Sequence, residues 1–231
     1  MDEGLSVIMM GATGAVGGEV VAALQTLSGL NKLTILSRRL LAEPVGPKVK
    51  QEIVDVLDPL SYRHLVLGYR VAICTLGVGQ PSKVRATEFI KVDKDAVIGF
   101  ATACKHGGVT HFELLSAVAA DSQSRSLYLR TKGELQEALV ALGFERLSLF
   151  QPSMILTPTN RYGFGQAILL AIWPMLGTLF VGSLRKYRGI DVTTLGSALA
   201  ANVFTPGRGV EILQWREFVT LAAPIVAMHR K

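Results

Sequence analysis

Two cysteines, Cys74 and Cys104, are too few in 231 residues to build a disulfide framework, and they do not form a CxxC. That argues against a stapled secreted scaffold and favours a reducing compartment. Charge is also sparse, at 18% of residues against 49% hydrophobic, with mean hydropathy +0.37. Such an apolar chain is not bulk disorder. His64, His106, His111 and His229 show no HExxH or paired-ligand spacing, so no metal site is expected. The opening MDEGLSVIMMGATG lacks a basic n-region and a long apolar run. It reads as a first strand and not as a secretory signal, which favours a cytoplasmic location. Repeats, low-complexity tracts and linkers are missing as well. One domain over 1–231 is expected, with a core in 1–152 and a smaller subregion in 153–231.

The net charge of +6 raises the question of nucleic acid. Residues 1–160 hold 16 Lys+Arg and 15 Asp+Glu, whereas residues 161–231 hold 8 and 3. The excess therefore sits near the C-terminus, in short clusters such as LRKYR (184–188) without many aromatics between them. This is not the pattern of a specific nucleic-acid binder. A basic flank beside an apolar segment suits a phospholipid surface or an anionic substrate at least as well.

What is present is an alternation of strand-like and helix-like runs. LSVIMM (5–10), KLTILS (32–37), VKQEIVD (49–55), YRVAICTLG (69–77), VTHFELLS (109–116) and FERLSLFQP (144–152) read as strands. Helical patterns fall over 16–27, 59–67, 87–106 and from about Ser126 onward. The early strands are apolar on both faces, as in a buried parallel sheet. The predicted fold is α/β, a doubly wound parallel sheet with a small C-terminal helical subregion where the pattern weakens after Pro152.

The first strand runs into GATGAVGG, and Gly11, Gly14 and Gly17 form a G-x-x-G-x-x-G turn between strand and helix. There a β-carbon would obstruct the tight turn, the approach of a pyrophosphate or the helix–strand packing, and the helix N-terminus offers free N–H groups to phosphate. An NAD site usually ends its second strand with an acid for the ribose hydroxyls. This strand ends in Ser37, Arg38 and Arg39 instead. Two guanidiniums suit a 2′-phosphate, so NADP(H) is the expected cofactor. Asp55 closes the third strand, where it is a candidate acceptor for the adenine amine, and Thr75, Leu76 and Gly77 close the fourth at the edge where such ligands lie.

The fifth strand ends at Ser116, twelve residues before Tyr128, and Lys132 follows Tyr128 by one helical turn. These three types suit one task. The phenol exchanges a proton with a carbonyl or alcohol oxygen, the ammonium lowers the phenol pKa and holds a ribose, and the serine hydroxyl polarises the same oxygen. Asp93 and Asp95, in KVDKD, read as a solvated helix face and not as an acid pair.

GATGAVG, LSRR, CTLG, LLSAVAAD, YLRTK and QPSMIL occur here in an order that resembles the atypical short-chain dehydrogenases/reductases. Within them the chain is most similar to the Tat-interacting-protein oxidoreductase branch and its bacterial relatives. The likeness spans about residues 5–160, and KYRGIDV (186–192) extends it weakly. The resemblance implies phosphate-loop contacts from Thr13, Gly14, Ala15 and Val16, and 2′-phosphate contacts from Arg38 and Arg39. It also implies contacts to the nicotinamide half from Leu76, Gly77, Tyr128, Lys132 and Ile155, with Arg161 added. Ala15 replaces an acid found in some relatives, and Gln151 stands before the proline where arginine is common.

Three functions stay open on this basis. The first is NADP(H)-dependent reduction of a small carbonyl, or oxidation of an alcohol, with Tyr128 as general acid/base. The second is an NADPH-sensing regulatory protein with little turnover, and the third is a sugar-type epimerase or dehydratase using the same triad. The 23 residues 162–184 carry no charge and precede Arg185, Lys186 and Arg188. Pro174 and several glycines argue for two short helices instead of a simple span, although the length would cross a bilayer. An apolar face left on them would be covered by a second subunit in a homodimer, by a hydrophobic substrate, or by peripheral membrane contact through 162–188.

Overall fold

The structure, a computed structural model, describes residues 4–157 and 180–228. Its centre is the first strand, β1 (Leu5–Met10). Val7 and Met9 face one hydrophobic core and Ile8 and Met10 the other, so a continuous apolar run is what this position requires. β2 (Leu30–Ser37) and β3 (Val49–Ile53) extend the sheet on one side of β1. β4 (Val71–Cys74), β5 (His111–Leu115), β6 (Arg146–Phe150) and β9 (Gly209–Leu213) extend it on the other. The order is β3-β2-β1-β4-β5-β6-β9 and every pairing is parallel. This is the doubly wound order of a Rossmann sheet with a seventh strand added. A short pair, β7 (Ile155–Leu156) with β8 (Ile190–Asp191), lies outside it.

Helices cover both faces, as strands buried on both sides require. α1 (Ala15–Thr26), α5 (Val192–Asn202) and α6 (Trp215–Met228) pack over the core of Val7, Met9 and Ile73. On the other face, α2 (Ala86–Ile90), one π-helical turn (Lys91–Asp95) and α3 (Ala96–His106) form a continuous helix beside α4 (Leu127–Ala141). The expected helix over 59–67 shrinks to one 3-10 turn, Pro59–Ser61. The chain leaves helical geometry at Tyr62 (φ −136°, ψ −9°), whose ring is fully buried against Phe100, and that packing overrides local propensity. The strand expected to reach Asp55 ends at Ile53. Of the uncharged segment 162–184, residues 162–179 lie outside the described residues, and Gly182–Tyr187 is a 3-10 turn. Among the described residues no helix is long and apolar enough to cross a membrane.

Candidate active site

The strand order reverses between β1 and β4, and ligands of open α/β sheets bind at the carboxyl edge of that switch point. A cleft of about 600 Å³ opens there. Its floor is the glycine turn. Gly11 (φ +98°) takes a left-handed conformation, and a β-carbon on it would strike the Leu76 and Thr75 backbone. A β-carbon on Gly17 would strike the Gly11 carbonyl oxygen, so this glycine is fixed by packing. Gly14 differs: its β-carbon would meet only the Gly11 oxygen, at 3.4 Å. It is exposed at the N-cap of α1, with no side chain capping that helix and no acid in its first turn.

The cleft brings together most of the residues expected to share a site. Gly14, Ala15, Val16 and Gly17 line one wall, Leu76 and Gly77 the second, and Ser116, Tyr128, Lys132 and Ile155 the third. Thr13 is exposed at the tip of the turn. Arg38 and Arg39 are exposed just past β2, on a bend held by Ser37, whose hydroxyl donates to the Arg39 carbonyl at 2.6 Å. Among the described residues no acid pairs with either guanidinium. Asp55 is exposed past β3 and its Oδ1 accepts the Leu57 amide at 2.9 Å, so its first role is to shape its own turn. Neither the arginines nor Asp55 borders the cleft. Arg161 lies outside the described residues.

Ser116 is buried, and its Oγ accepts from Gln136 Nε2 at 2.6 Å. Gln151 Nε2 donates to Gln136 Oε1, and Gln214 Nε2 to Gln151 Oε1, both at 3.1 Å. With its oxygen already accepting, Ser116 keeps its O–H free to donate elsewhere. Tyr128, 37% exposed, stacks on Phe89 with ring centroids 5.9 Å apart. Lys132 is 5% exposed and its Nζ lies 2.8 Å from Asp93 Oδ1.

That pair corrects two expectations. Asp93 is no solvated residue: it is 3% exposed, and Oδ2 also accepts the Val78 amide at 2.7 Å. It lies four residues from both Phe89 and Val97, on the buried stripe of its helix, and this spacing was the available signal. The phenol of Tyr128, expected to be acidified by Lys132, instead has its pKa raised. Burial is the largest cause; Lys132 pulls the other way, and Asp93 adds to the rise. Thr75, expected at this edge but given no role, lines the cleft, and so do Ser153 and Met154 of QPSMIL, which sequence reasoning did not single out.

The site fits a dinucleotide. The uncapped helix start, the open Gly14 and Thr75 Oγ1, which is without a hydrogen-bond partner among the described residues, together make a cradle for phosphate. Seven parallel strands in this order, a glycine turn at their switch point and a Tyr-x-x-x-Lys helix beside it define a protein of the atypical short-chain dehydrogenase/reductase class. No protein-family model matches the chain. It is 33% identical over 216 residues to Protein HTATIP2 of Rattus norvegicus, covering 90% of this chain and 86% of that protein. The chain belongs to the HTATIP2 family. It is also 28% identical over 196 residues to Protein FMP52-1, mitochondrial, of Scheffersomyces stipitis, covering 84% and 82%. Among solved structures it is similar to MoeE5 in complex with UDP-glucuronic acid and NAD. The TM-score is 0.70 at 17% identity, covering 96% of this chain and 82% of that one.

Proposed function

We propose that this protein is an NADP(H)-dependent oxidoreductase acting on a small carbonyl or alcohol, with Tyr128 as general acid/base. One observation carries the reading: a single cleft joins the glycine turn at α1 to Ser116, Tyr128 and Lys132. MoeE5, which holds NAD on the same fold, supports a dinucleotide. Arg38 and Arg39 favour the 2′-phosphorylated form.

The nicotinamide cofactor, when bound, supplies or accepts the hydride. The chain does the rest. Amides of Ala15 to Gly17 would receive the pyrophosphate, the Gly14 amide being spent on the Gly11 carbonyl at 3.1 Å, and the arginine pair would receive the 2′-phosphate. Leu76, Gly77 and Ile155 flank the reacting half. Ser116 donates its free O–H to the substrate oxygen, and Tyr128 passes its proton to that oxygen as the carbonyl becomes an alcohol. A raised phenol pKa keeps Tyr128 protonated at neutral pH, which is the form that reduction needs.

A second reading, NADPH sensing with incidental turnover, draws on one feature: Lys132 is already engaged by Asp93. NADPH oxidation against a panel of aldehydes and ketones separates the two. Wild type should turn over at least one carbonyl, and Tyr128→Phe should lose about 10²–10⁴-fold in kcat with NADPH affinity kept within a few-fold. Full activity in Tyr128→Phe would overturn the catalytic reading and leave the sensor.

A further inference from the structure

The loop after β4 and the helix that carries Tyr128 are separate in sequence, yet one side chain touches both. Asp93 Oδ1 meets Lys132 Nζ at 2.8 Å, and Oδ2 receives the Val78 amide at 2.7 Å. We propose that Asp93 is a positioning residue of this site: one buried carboxylate grips the Lys132 ammonium and the Val78 amide, and so fixes the Tyr128 helix to the loop along the cleft. Its catalytic consequence rests on the oxidoreductase reading; its geometric role does not.

Four features converge on this acid. Asp93 and Lys132 are both almost wholly buried, and a buried charge persists only where it is paired and hydrogen-bonded. Asp93 sits in the π-helical turn Lys91–Asp95, the kind of helix irregularity that concentrates at functional sites. A β-carbon on Gly77 would lie 2.9 Å from Asp93 Oδ1, so any side chain there would press on the carboxylate. Finally, Lys94 Nζ meets Glu134 Oε2 at 2.8 Å, a second clasp between the same turn and α4 on the more exposed side.

The clasp bears on the proton that Tyr128 carries. From its own helix the phenol faces the Lys132 cation, and from the π-turn the Asp93 anion. From α2 it meets the uncharged Phe89 ring, and across the cleft the uncharged Ser116. Asp93 offsets part of the acidifying effect of the ammonium on the phenol, and so adds to the larger rise that burial causes. Without Asp93 that balance is lost, because a buried ammonium without its counter-charge is no longer held in its charged form.

The test uses the full chain with neither substrate nor cofactor. Tyrosinate absorbance is followed through alkaline pH in wild type and in Asp93→Asn, and the Tyr128 contribution is taken by difference against Tyr128→Phe. In Asp93→Asn the Tyr128 midpoint should move by about one pH unit or more, a tenfold change in acidity. An unmoved midpoint in folded Asp93→Asn overturns the proposal. If that variant does not fold, Asp93→Leu/Lys132→Met, which buries no lone charge, carries the test. Hydrogen exchange at the Val78 amide should then quicken by about tenfold or more, and unchanged protection overturns the proposal. Because these readouts need no turnover, an idle Asp93 and a non-catalytic Tyr128 are told apart. Where a carbonyl substrate is found, the alkaline limb of the Asp93→Asn rate profile should shift with the Tyr128 midpoint, and kcat should change more than the KM for NADPH.

Discussion

The same parallel strands carry a buried polar cluster at each end, and the two ends are built to opposite rules. At the amino edge Arg146 spends every donor. Nε meets Glu211 at 2.9 Å, Nη1 the Asn202 and Thr205 carbonyls, and Nη2 the Asn202 and Thr205 side chains. Asn202 Nδ2 in turn donates to Glu113 and Ser148, and His111 Nε2 meets Ser148 at 3.0 Å. His111 also lies 3.5 Å from Glu113, but the two are not an ion pair. Burial pushes the His111 pKa down to about 3 and that of Glu113 up to about 8, so both are uncharged at neutral pH. A cleft of about 610 Å³ opens here too, but the Arg146 and His111 groups that reach it are occupied with their neighbours. At the carboxyl edge Ser116, Tyr128 and Thr75 still have hydroxyls to offer. The number of charges is similar at both ends. What distinguishes a site from a structural cluster here is which groups are left over beside a cleft: among the described residues the amino edge leaves Glu113 Oε2 without a partner, but Glu113 lines no part of the cleft there.

Breaking the amino edge should therefore cost stability and spare binding. Arg146→Ala strands Glu211 and the Asn202 and Thr205 acceptors, and should lose about 3–5 kcal/mol in urea unfolding. The fraction that stays folded should bind NADPH as wild type does. A loss of affinity in folded protein would mean that the two edges are coupled.

The glycine turn sharpens the contrast within three residues. Gly17→Ala forces a methyl against the Gly11 carbonyl oxygen and should destabilise the fold by about 1–3 kcal/mol. Gly14→Val meets no such obstacle in the protein and should leave stability within about 0.5 kcal/mol. Its side chain would stand where the proposed cofactor's pyrophosphate would approach, so NADPH affinity should fall by about tenfold or more, at least about 1.4 kcal/mol. Thermal unfolding and calorimetry on the pair separate a ligand glycine from a packing glycine.

A smaller effect is expected from pH at the amino edge. Glu113 stays protonated in the folded chain to about pH 8 because of its burial, whereas the unfolded chain releases that proton near 4.5. Its contribution to stability is full below about pH 4.5 and is lost as pH rises toward 8. His111 runs the other way, losing stability as pH falls from 6.5 toward 3. Glu113→Gln removes the first dependence and keeps an acceptor for Asn202. Between pH 5 and pH 8 its urea stability should gain on wild type by more than about 1 kcal/mol; a constant difference would remove Glu113 from the account.

Much of this was readable beforehand where the signal is local. The glycine turn, the six strands up to Phe150 and the Tyr128–Lys132 spacing depend on runs of a few residues, and each lies where the pattern put it. The reading failed where tertiary packing decides. Four charges in the five residues KVDKD masked the place of Asp93 on a buried stripe. β9 escaped because an edge strand exposes Val210 and Ile212 and shows no clean alternation. The Gln214–Gln151–Gln136–Ser116 chain joins residues up to 98 positions apart, and no window of sequence contains it.

The carboxyl-edge cleft is proposed to be an NADP(H) site. Titration calorimetry of wild type with NADPH and with NADH tests it most directly, with Arg38→Ala as the comparison. Charge-assisted bonds contribute about 1.5–3 kcal/mol each, so NADPH should bind at least about tenfold more tightly than NADH. Most of that margin should vanish in Arg38→Ala, while NADH binding stays unchanged. Equal affinities for the two cofactors in wild type, or no binding of either, would contradict the account.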